Sequence, residues 1–163
     1  MLYETTPLLN RKQEILLRNK KNNLLKTYLA NIHCQNPNLV EEKNMKSFYS
    51  YYEAILPYGN THFHSHLSLK DISSKAEIKE WIITKIIAHV SNHDTIILPF
   101  ERFGICLKIN DTVAFFDNEL QKKIDNYVGL DYAYITKSGY AHVFFDEEHN
   151  VYEYLSSELF YKN

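Results

Sequence analysis

The chain has 163 residues, of which 45% are hydrophobic and 23% charged, and its formal net charge is −2. This length suits one globular domain with a sizeable core, and four Gly and four Pro exclude a repeat array or a long disordered chain. Two cysteines without a Cys-x-x-Cys spacing exclude a disulfide framework and a cysteine zinc site. No signal-peptide pattern and no apolar stretch of membrane-spanning length are visible, so we expect a single, reduced, cytoplasmic domain over residues 1–163.

Charge is distributed unevenly along the chain. Residues 1–45 carry seven Lys or Arg against four Asp or Glu, whereas residues 95–163 carry six against eleven. The N-terminal segment is therefore basic, and the C-terminal half is acidic.

The basic side chains of the N-terminal segment are interleaved with apolar ones. Among them are Arg11, Lys12, Arg18, Lys20 and Lys21. A basic amphipathic helix suits a nucleic acid or a membrane surface. A solvated helix packed on a sheet is the commoner outcome of this pattern, so we predict neither a nucleic acid nor a membrane as a partner.

The first part of the chain is predicted to be mainly helical. Residues 8–32 carry apolar side chains at helical spacing, within an N-terminal helical arm over residues 1–34. Residues 35–44, which contain Asn-Pro-Asn, predict a loop. Residues 45–56 predict a second helix that ends before Pro57.

A short strand and a third helix are predicted next. Residues 61–67 alternate in the manner of a strand. Ser74-Lys-Ala-Glu77 has the spacing of a capping box and predicts a helix that runs to about Ser91. Apolar residues cover more than half of its circumference, so we expect this helix to lie across a sheet.

The second half of the chain predicts the sheet, over residues 95–155. The expected strands are 95–100, 104–109, 112–116, 131–136, 140–145 and 151–155. A helix over 118–128 is expected between the third and fourth of them, with Gly129 as its C-cap. Short connections favour antiparallel pairing. We therefore predict an α+β fold with an antiparallel sheet of about five to six strands and the N-terminal and central helices packed on one face.

Histidines are clustered in a way that raises the question of a metal. His62, His64 and His66 would share one face of a strand. His89 and His93 have the i, i+4 spacing that lets two helical histidines share a metal. The alternative function is therefore a metal-dependent hydrolase or oxygenase, in which the ion generates hydroxide.

A histidine cluster that holds no metal is the simpler interpretation. The Glu of a His-Glu-x-x-His motif is missing, and no nucleophile elbow or phosphate-binding glycine loop is present. We predict no cofactor and no catalytic residue.

The acidic, aromatic C-terminal end carries the stronger functional suggestion. Its residues are Asp146, Glu147, Glu148 and Glu153, with Tyr140, Tyr152 and Tyr154 in the same strands. Tyr is favoured at protein interfaces, and carboxylates suit a basic partner. The sequence therefore predicts a partner-binding patch. Tyrosines packed beneath the helices, with carboxylates that only solubilise the surface, remain the alternative.

Residues 132–148, Tyr-Ala-Tyr-Ile-Thr-Lys-Ser-Gly-Tyr-Ala-His-Val-Phe-Phe-Asp-Glu-Glu, form a Tyr-rich meander that follows N-terminal helices. In this arrangement the chain resembles the small bacterial immunity proteins that neutralise toxins of contact-dependent and other polymorphic secretion systems. The resemblance implies a non-enzymatic inhibitor that occludes the active site of one cognate toxin domain. A basic nuclease would suit the acidic patch.

Overall fold

The computed structural model describes residues 8–45, 62–125, 130–137 and 139–157. Within these residues the helices are α1 (Arg11–Leu29), α2 (Lys75–Ile87) and α3 (Thr112–Ile124). The strands are β1 (Cys34–Glu41), β2 (His62–Ser68), β3 (Thr95–Phe100), β4 (Phe103–Ile109), β5 (Asp131–Thr136), β6 (Gly139–Asp146) and β7 (Val151–Ser157). Short 3₁₀ turns, Glu42–Met45 and Leu69–Asp71, follow β1 and β2.

The seven strands form one sheet in the order β1-β4-β3-β5-β6-β7-β2, and each neighbouring pair is antiparallel. The predicted α+β class is confirmed, with seven strands in place of five or six. Five of the six strands expected over residues 95–155 are present, and β1 and β2 add one strand at each edge. No helix in the described part of the chain is both long and apolar enough to cross a membrane.

Helix α1 begins at a reciprocal cap. The Asn10 side chain accepts from the Gln13 N–H at 2.9 Å, and the Gln13 side chain accepts from the Asn10 N–H at 2.9 Å. Two of the backbone donors that a helix start leaves without intrahelical partners are thereby satisfied. The predicted helix over residues 8–32 is confirmed, within the narrower bounds Arg11–Leu29.

Helix α2 begins at the capping residue that the sequence indicates. Ser74 accepts from the Glu77 N–H at 3.3 Å, and Ile78, Ile82 and Ile86 follow at intervals of four on the buried face. The helix ends at Ile87, so it is a turn shorter than the expected end near Ser91.

Helix α3 corrects the prediction for residues 112–116, which are helical and not a strand. Asp111, expected in a tight turn between strands, is its N-cap and accepts from the Ala114 N–H at 3.1 Å. The buried residues are Thr112, Phe115, Phe116, Glu119, Leu120 and Ile124, whose spacing is that of one helix face. The expected C-cap at Gly129 lies outside the described residues, as does all of the predicted second helix except Met45.

Strand β1 corrects the prediction of a loop over residues 35–44. It pairs with β4 from Cys34 opposite Ile109 to Glu41 opposite Phe103. The register shifts between Gln35 and Asn38, where a bulge accommodates Asn-Pro-Asn and Asn36 has φ 55°. Pro is tolerated in such an edge strand because its missing N–H costs no ladder bond.

The three helices share a core with one face of the sheet. Ile78, Ile82 and Ile86 of α2 and Phe115, Phe116 and Leu120 of α3 are buried with Ile105, Leu107, Tyr132, Tyr134, Val143, Tyr152 and Tyr154 of the sheet. Tyr132 and Tyr134 share a face, as do Tyr152 and Tyr154, and in both cases it is the face that packs under helices.

The opposite face of the sheet also carries buried residues, among them Tyr140 at 2% exposure and Leu155 at 8%. Met45 is 1% exposed, and a Cβ built on Gly104 would stand 2.6 Å from its sulfur. Glycine at position 104 therefore lets Met45 pack closely against the start of β4.

Candidate functional site

The register of the strands places one set of turns at the same end of the sheet. Glu41 at the end of β1 lies opposite Phe103 at the start of β4. Asp146 at the end of β6 lies opposite Val151 at the start of β7, which in turn lies opposite Ser68. The backbone N–H of Leu69 donates to the carbonyl of Asn150 at 3.2 Å, so the 3₁₀ turn after β2 adjoins the β6–β7 turn.

Carboxylates collect at this end, which we call the acidic end. They are Glu41, Glu42, Asp71, Glu101, Asp131, Asp146, Glu147 and Glu148. Lys43, Lys70 and Arg102 belong to the same turns and are outnumbered. Lys43 is paired with Glu41 at 3.1 Å. Carboxylates that are far apart in the sequence therefore lie along one end of the sheet, where Lys20 and Lys21 of α1 also approach Glu101 and Phe103.

The β6–β7 turn is held in shape by its first carboxylate. Asp146 accepts from the backbone N–H of Glu148 at 3.0 Å and of His149 at 3.3 Å, and its other oxygen lies 2.7 Å from the His149 ring. These contacts, chiefly that with the His149 ring, lower the pKa of Asp146 and raise that of His149. Asp146 thus orders the turn, while Glu147 and Glu148 are exposed.

A second histidine lies beside the neighbouring strand's carboxylate. His142 is 2.5 Å from Asp131, across the β5–β6 pair. The hydrogen bond from His142 lowers the pKa of Asp131. Asp131 therefore stays ionised and adds to the charge of the acidic end.

The aromatic part of the predicted patch is not at the surface. Tyr140 is 2% exposed, Tyr152 4% and Tyr154 0%, and Glu153 is 8% exposed. The pleat turns Tyr152 and Tyr154 towards the helices and places Glu153 on the opposite face of the sheet. This corrects the expectation that these four residues contact a partner from the surface, and leaves Asp146, Glu147 and Glu148 there.

Two of the buried tyrosines form a polar cluster with His89. The hydroxyl groups of Tyr134 and Tyr154 are 3.0 Å apart, and they lie 2.5 Å and 2.9 Å from His89 Nε2. Burial lowers the pKa of His89 to about 4, so the ring is neutral at pH 7. The ring and the two phenols are therefore joined by hydrogen bonds, whose donors depend on which ring nitrogen carries the proton.

The five histidines of the metal hypothesis are divided between different places. His62, His64 and His66 occupy alternate positions of β2, opposite Ser157, Leu155 and Glu153. His66 pairs with Glu153, whose side chain lies on the opposite face of β7 from those of Tyr152 and Tyr154. Because Tyr154 contacts His89, His66 lies on the face of the sheet away from His89.

Helix α2 ends before His89 and His93, so the helical i, i+4 geometry on which the metal hypothesis relied is absent. Among the described residues, no group of three His, Cys, Asp or Glu is arranged to hold a metal ion.

A pocket lies beside the His89 cluster, at the other end of the sheet. Its volume is about 220 Å³, and it is lined by His89, His93, Asp94, Thr95, Thr136 and Lys137. The sequence pattern pointed to His89 and His93 but gave no sign of Thr95, Thr136 or Lys137. Asp94 and Thr95 lead into β3, and Thr136 and Lys137 end β5. These two segments lie side by side because β3 pairs with β5, at Ile97 and Ile135.

A buried carboxyl group lies between α3 and α1. Glu119 is 5% exposed, and burial raises its pKa although a hydrogen bond from Tyr28 opposes the shift. Burial, with the added effect of Glu119, raises the pKa of Cys34 to about 11. The Cys34 thiol is therefore protonated at pH 7, and it donates to the Tyr28 carbonyl at 3.4 Å. A thiol in this state is a poor nucleophile.

Comparisons with known proteins add no family to this geometry. No protein-family model matches the chain, and searches of curated proteins and of solved structures give no significant match.

Proposed function

We propose that this chain is an immunity protein, which acts in the cytoplasm by binding a cognate bacterial toxin domain and covering its basic active site. The observation that supports the proposal is the acidic end, where Glu147 and Glu148 project from a turn that Asp146 holds in shape. A domain that acts on nucleic acid needs cationic side chains for the phosphates. Carboxylates on a preordered turn are complementary to such a site.

The acidic end would contribute mainly to the rate and specificity of association. Exposed charges attract an oppositely charged partner over roughly 10 Å at 0.1 M ionic strength, and added salt screens this attraction. Because Asp146 fixes the β6–β7 turn before binding, little conformational entropy is lost when a partner docks. Tight binding would also need an apolar contact, which the buried tyrosines do not supply.

The test uses the chain and the C-terminal domain of a secreted toxin encoded beside its gene. Growth of cells that express the toxin domain measures protection, and calorimetry at two salt concentrations measures affinity. Glu147→Lys and Glu148→Lys should each weaken binding about tenfold, the effect of losing one charge-assisted contact. The loss should shrink at high salt.

Glu80→Lys is the matched control, because Glu80 is exposed on α2 and the substitution changes the net charge equally. It should bind like the unmodified chain. If Glu147→Lys and Glu148→Lys bind equally well, the acidic end is not the binding surface. If the unmodified chain neither binds nor protects, the immunity proposal fails.

A further inference from the structure

The pocket at the other end of the sheet is distinct from the acidic end in position and chemistry. The two are separated by the length of β5, which runs from Asp131 at the acidic end to Thr136 at the pocket. Six residues in extended conformation span about 17 Å. A ligand in this pocket would therefore not touch a partner's residues at Glu147 or Glu148.

Hydrogen-bond donors dominate the pocket wall. Thr95 and Thr136 bring hydroxyl groups and Lys137 brings an ammonium group, next to the imidazoles of His89 and His93. The Thr136 hydroxyl donates to the Gly139 carbonyl at 3.5 Å. Lys137 is exposed, and no described carboxylate lies within ion-pair distance of it.

The single carboxylate of the wall already has a structural task. Asp94 Oδ2 accepts from the Ser91 N–H at 2.9 Å, and the Asp94 carbonyl accepts from the Ile109 N–H at 2.9 Å. Its negative charge is therefore partly stabilised by the backbone N–H of Ser91, in the turn that follows α2. Lys108 of β4, which lies opposite Thr95, is another cation in this region.

One wall residue is held in a backbone conformation that few residues adopt. His93 has φ 74°, in the left-handed region, and its N–H donates to the Ile109 carbonyl at 2.7 Å. Non-glycine residues in this region cost on the order of 1 kcal/mol and are enriched at binding sites, where they aim a side chain. The turn thereby fixes the backbone position from which the His93 side chain extends.

We propose that this pocket binds a small oxyanionic group, a phosphate or a carboxylate, with Lys137, His93 and the hydroxyl of Thr95 as its donors. The volume of about 220 Å³ is below the roughly 300–1,000 Å³ of sites for drug-sized ligands, so the pocket takes a small molecule or one charged group. The wall offers several donors that converge on one space, which suits an acceptor with two or more oxygens.

Chemical-shift titration of the ¹⁵N-labelled chain tests the site directly. Sodium phosphate and sodium acetate are the two probes, and sodium chloride at matched ionic strength is the blank. Either probe should shift the amide resonances of Thr95, Thr136 and Lys137 along a saturable curve that chloride does not reproduce. The probe that saturates first identifies phosphate or carboxylate as the preferred group.

Two variants separate a built site from general attraction by surface charge. Lys137→Ala should weaken binding about tenfold, the effect of losing one charge-assisted hydrogen bond. His93→Asn removes the imidazole but tolerates the left-handed backbone, and it should also weaken binding. Lys12→Ala removes an exposed cation from α1 and should change nothing.

Three outcomes would overturn the proposal: no saturable shift with either probe, the same shifts with chloride, or equal affinity in Lys137→Ala and the unmodified chain. None of them bears on the acidic end, so this site and the immunity proposal stand or fall separately.

Discussion

At the scale of single residues, the buried tyrosine hydroxyls divide into two kinds. Those of Tyr134 and Tyr154 are bonded to each other and to His89. The hydroxyl of Tyr132 is buried without a hydrogen-bond partner among the described residues. A buried hydroxyl gains from a partner and loses without one, so the same chemical change should have different effects at these positions.

Tyr154→Phe should destabilise the protein by about 1 kcal/mol, the typical net value of a hydrogen bond, because it breaks the cluster without leaving a cavity. Tyr132→Phe is the matched control and should be neutral or slightly stabilising. Urea unfolding of the three proteins measures the difference. Equal losses in both variants would mean that the cluster contributes nothing beyond the packing of the rings.

His89 makes stability depend on pH in a defined direction. Its pKa is about 4 in the folded protein and 6.5 for an ordinary histidine, and burial is the cause. Between these values the unfolded chain binds a proton that the folded chain does not. The contribution of His89 is therefore complete above pH 6.5 and is lost as the pH falls towards 4.

The variant His89→Gln should be less stable than the unmodified protein above pH 6.5, and the gap should narrow as the pH approaches 4. Urea unfolding at several pH values measures the difference in the free energy of unfolding between the two proteins. The titration of other groups contributes equally to both proteins and cancels in this difference. A gap that stays constant would show that the pKa of His89 is the same in the folded and the unfolded protein.

At the scale of elements, the cap of α2 was readable from the sequence and the pairing of distant strands was not. Ser74 and Glu77 specify the start of α2 locally, so the prediction was confirmed. The strand β1 depends on β4, whose residues come far later in the chain, and Asn-Pro-Asn hides it from any local pattern.

The error at residues 112–116 has a different cause. Val113, Phe115 and Phe116 favour strands by propensity, yet Asp111 caps a helix and the apolar spacing continues to Ile124 in helical period. That period was present in the sequence, so a longer window would have found α3.

The candidate sites show the same limit. Patterns within one segment were predictable from the sequence, and contacts between distant strands were not. Alternation along a strand places Tyr132 with Tyr134, and Tyr152 with Tyr154, on one face, but period two does not tell which face is inward. The acidic end and the pocket both depend on strand order, which no single segment encodes.

Asp111→Ala should destabilise the protein by about 1 kcal/mol, because the Ala114 N–H at the start of α3 loses its acceptor. Asp111→Asn should retain most of the stability, since Asn is an equally good N-cap. Thermal unfolding compares the two variants. An equal loss in both would point to the negative charge, and not to the cap, as the stabilising factor.

At the scale of the whole molecule, the sheet has two chemically different ends. One carries crowded carboxylates, and the other carries the donor-rich pocket. Like charges held close together repel, and salt screens the repulsion between exposed groups. The folded protein should therefore be slightly more stable at high salt than at low salt.

Replacing Glu147 and Glu148 together by Gln should raise the midpoint of thermal unfolding at low salt and reduce its rise when NaCl is added. The double variant loses the repulsion at the acidic end but keeps the Asp146 contacts that shape the turn. Glu80→Gln, on α2, should retain the salt response of the unmodified chain. A double variant with an unchanged salt response would show that the acidic end is not under electrostatic strain.

The bulge in β1 has a consequence for how copies of this protein behave when they are crowded together. A straight outer strand offers a template to which a strand of a neighbouring copy can add, and repeated addition leads to fibres. Pro37 lacks an N–H, and the left-handed Asn36 beside it breaks the regular spacing of the remaining donors and acceptors. Strands of other copies are therefore hindered from pairing with this edge of the sheet.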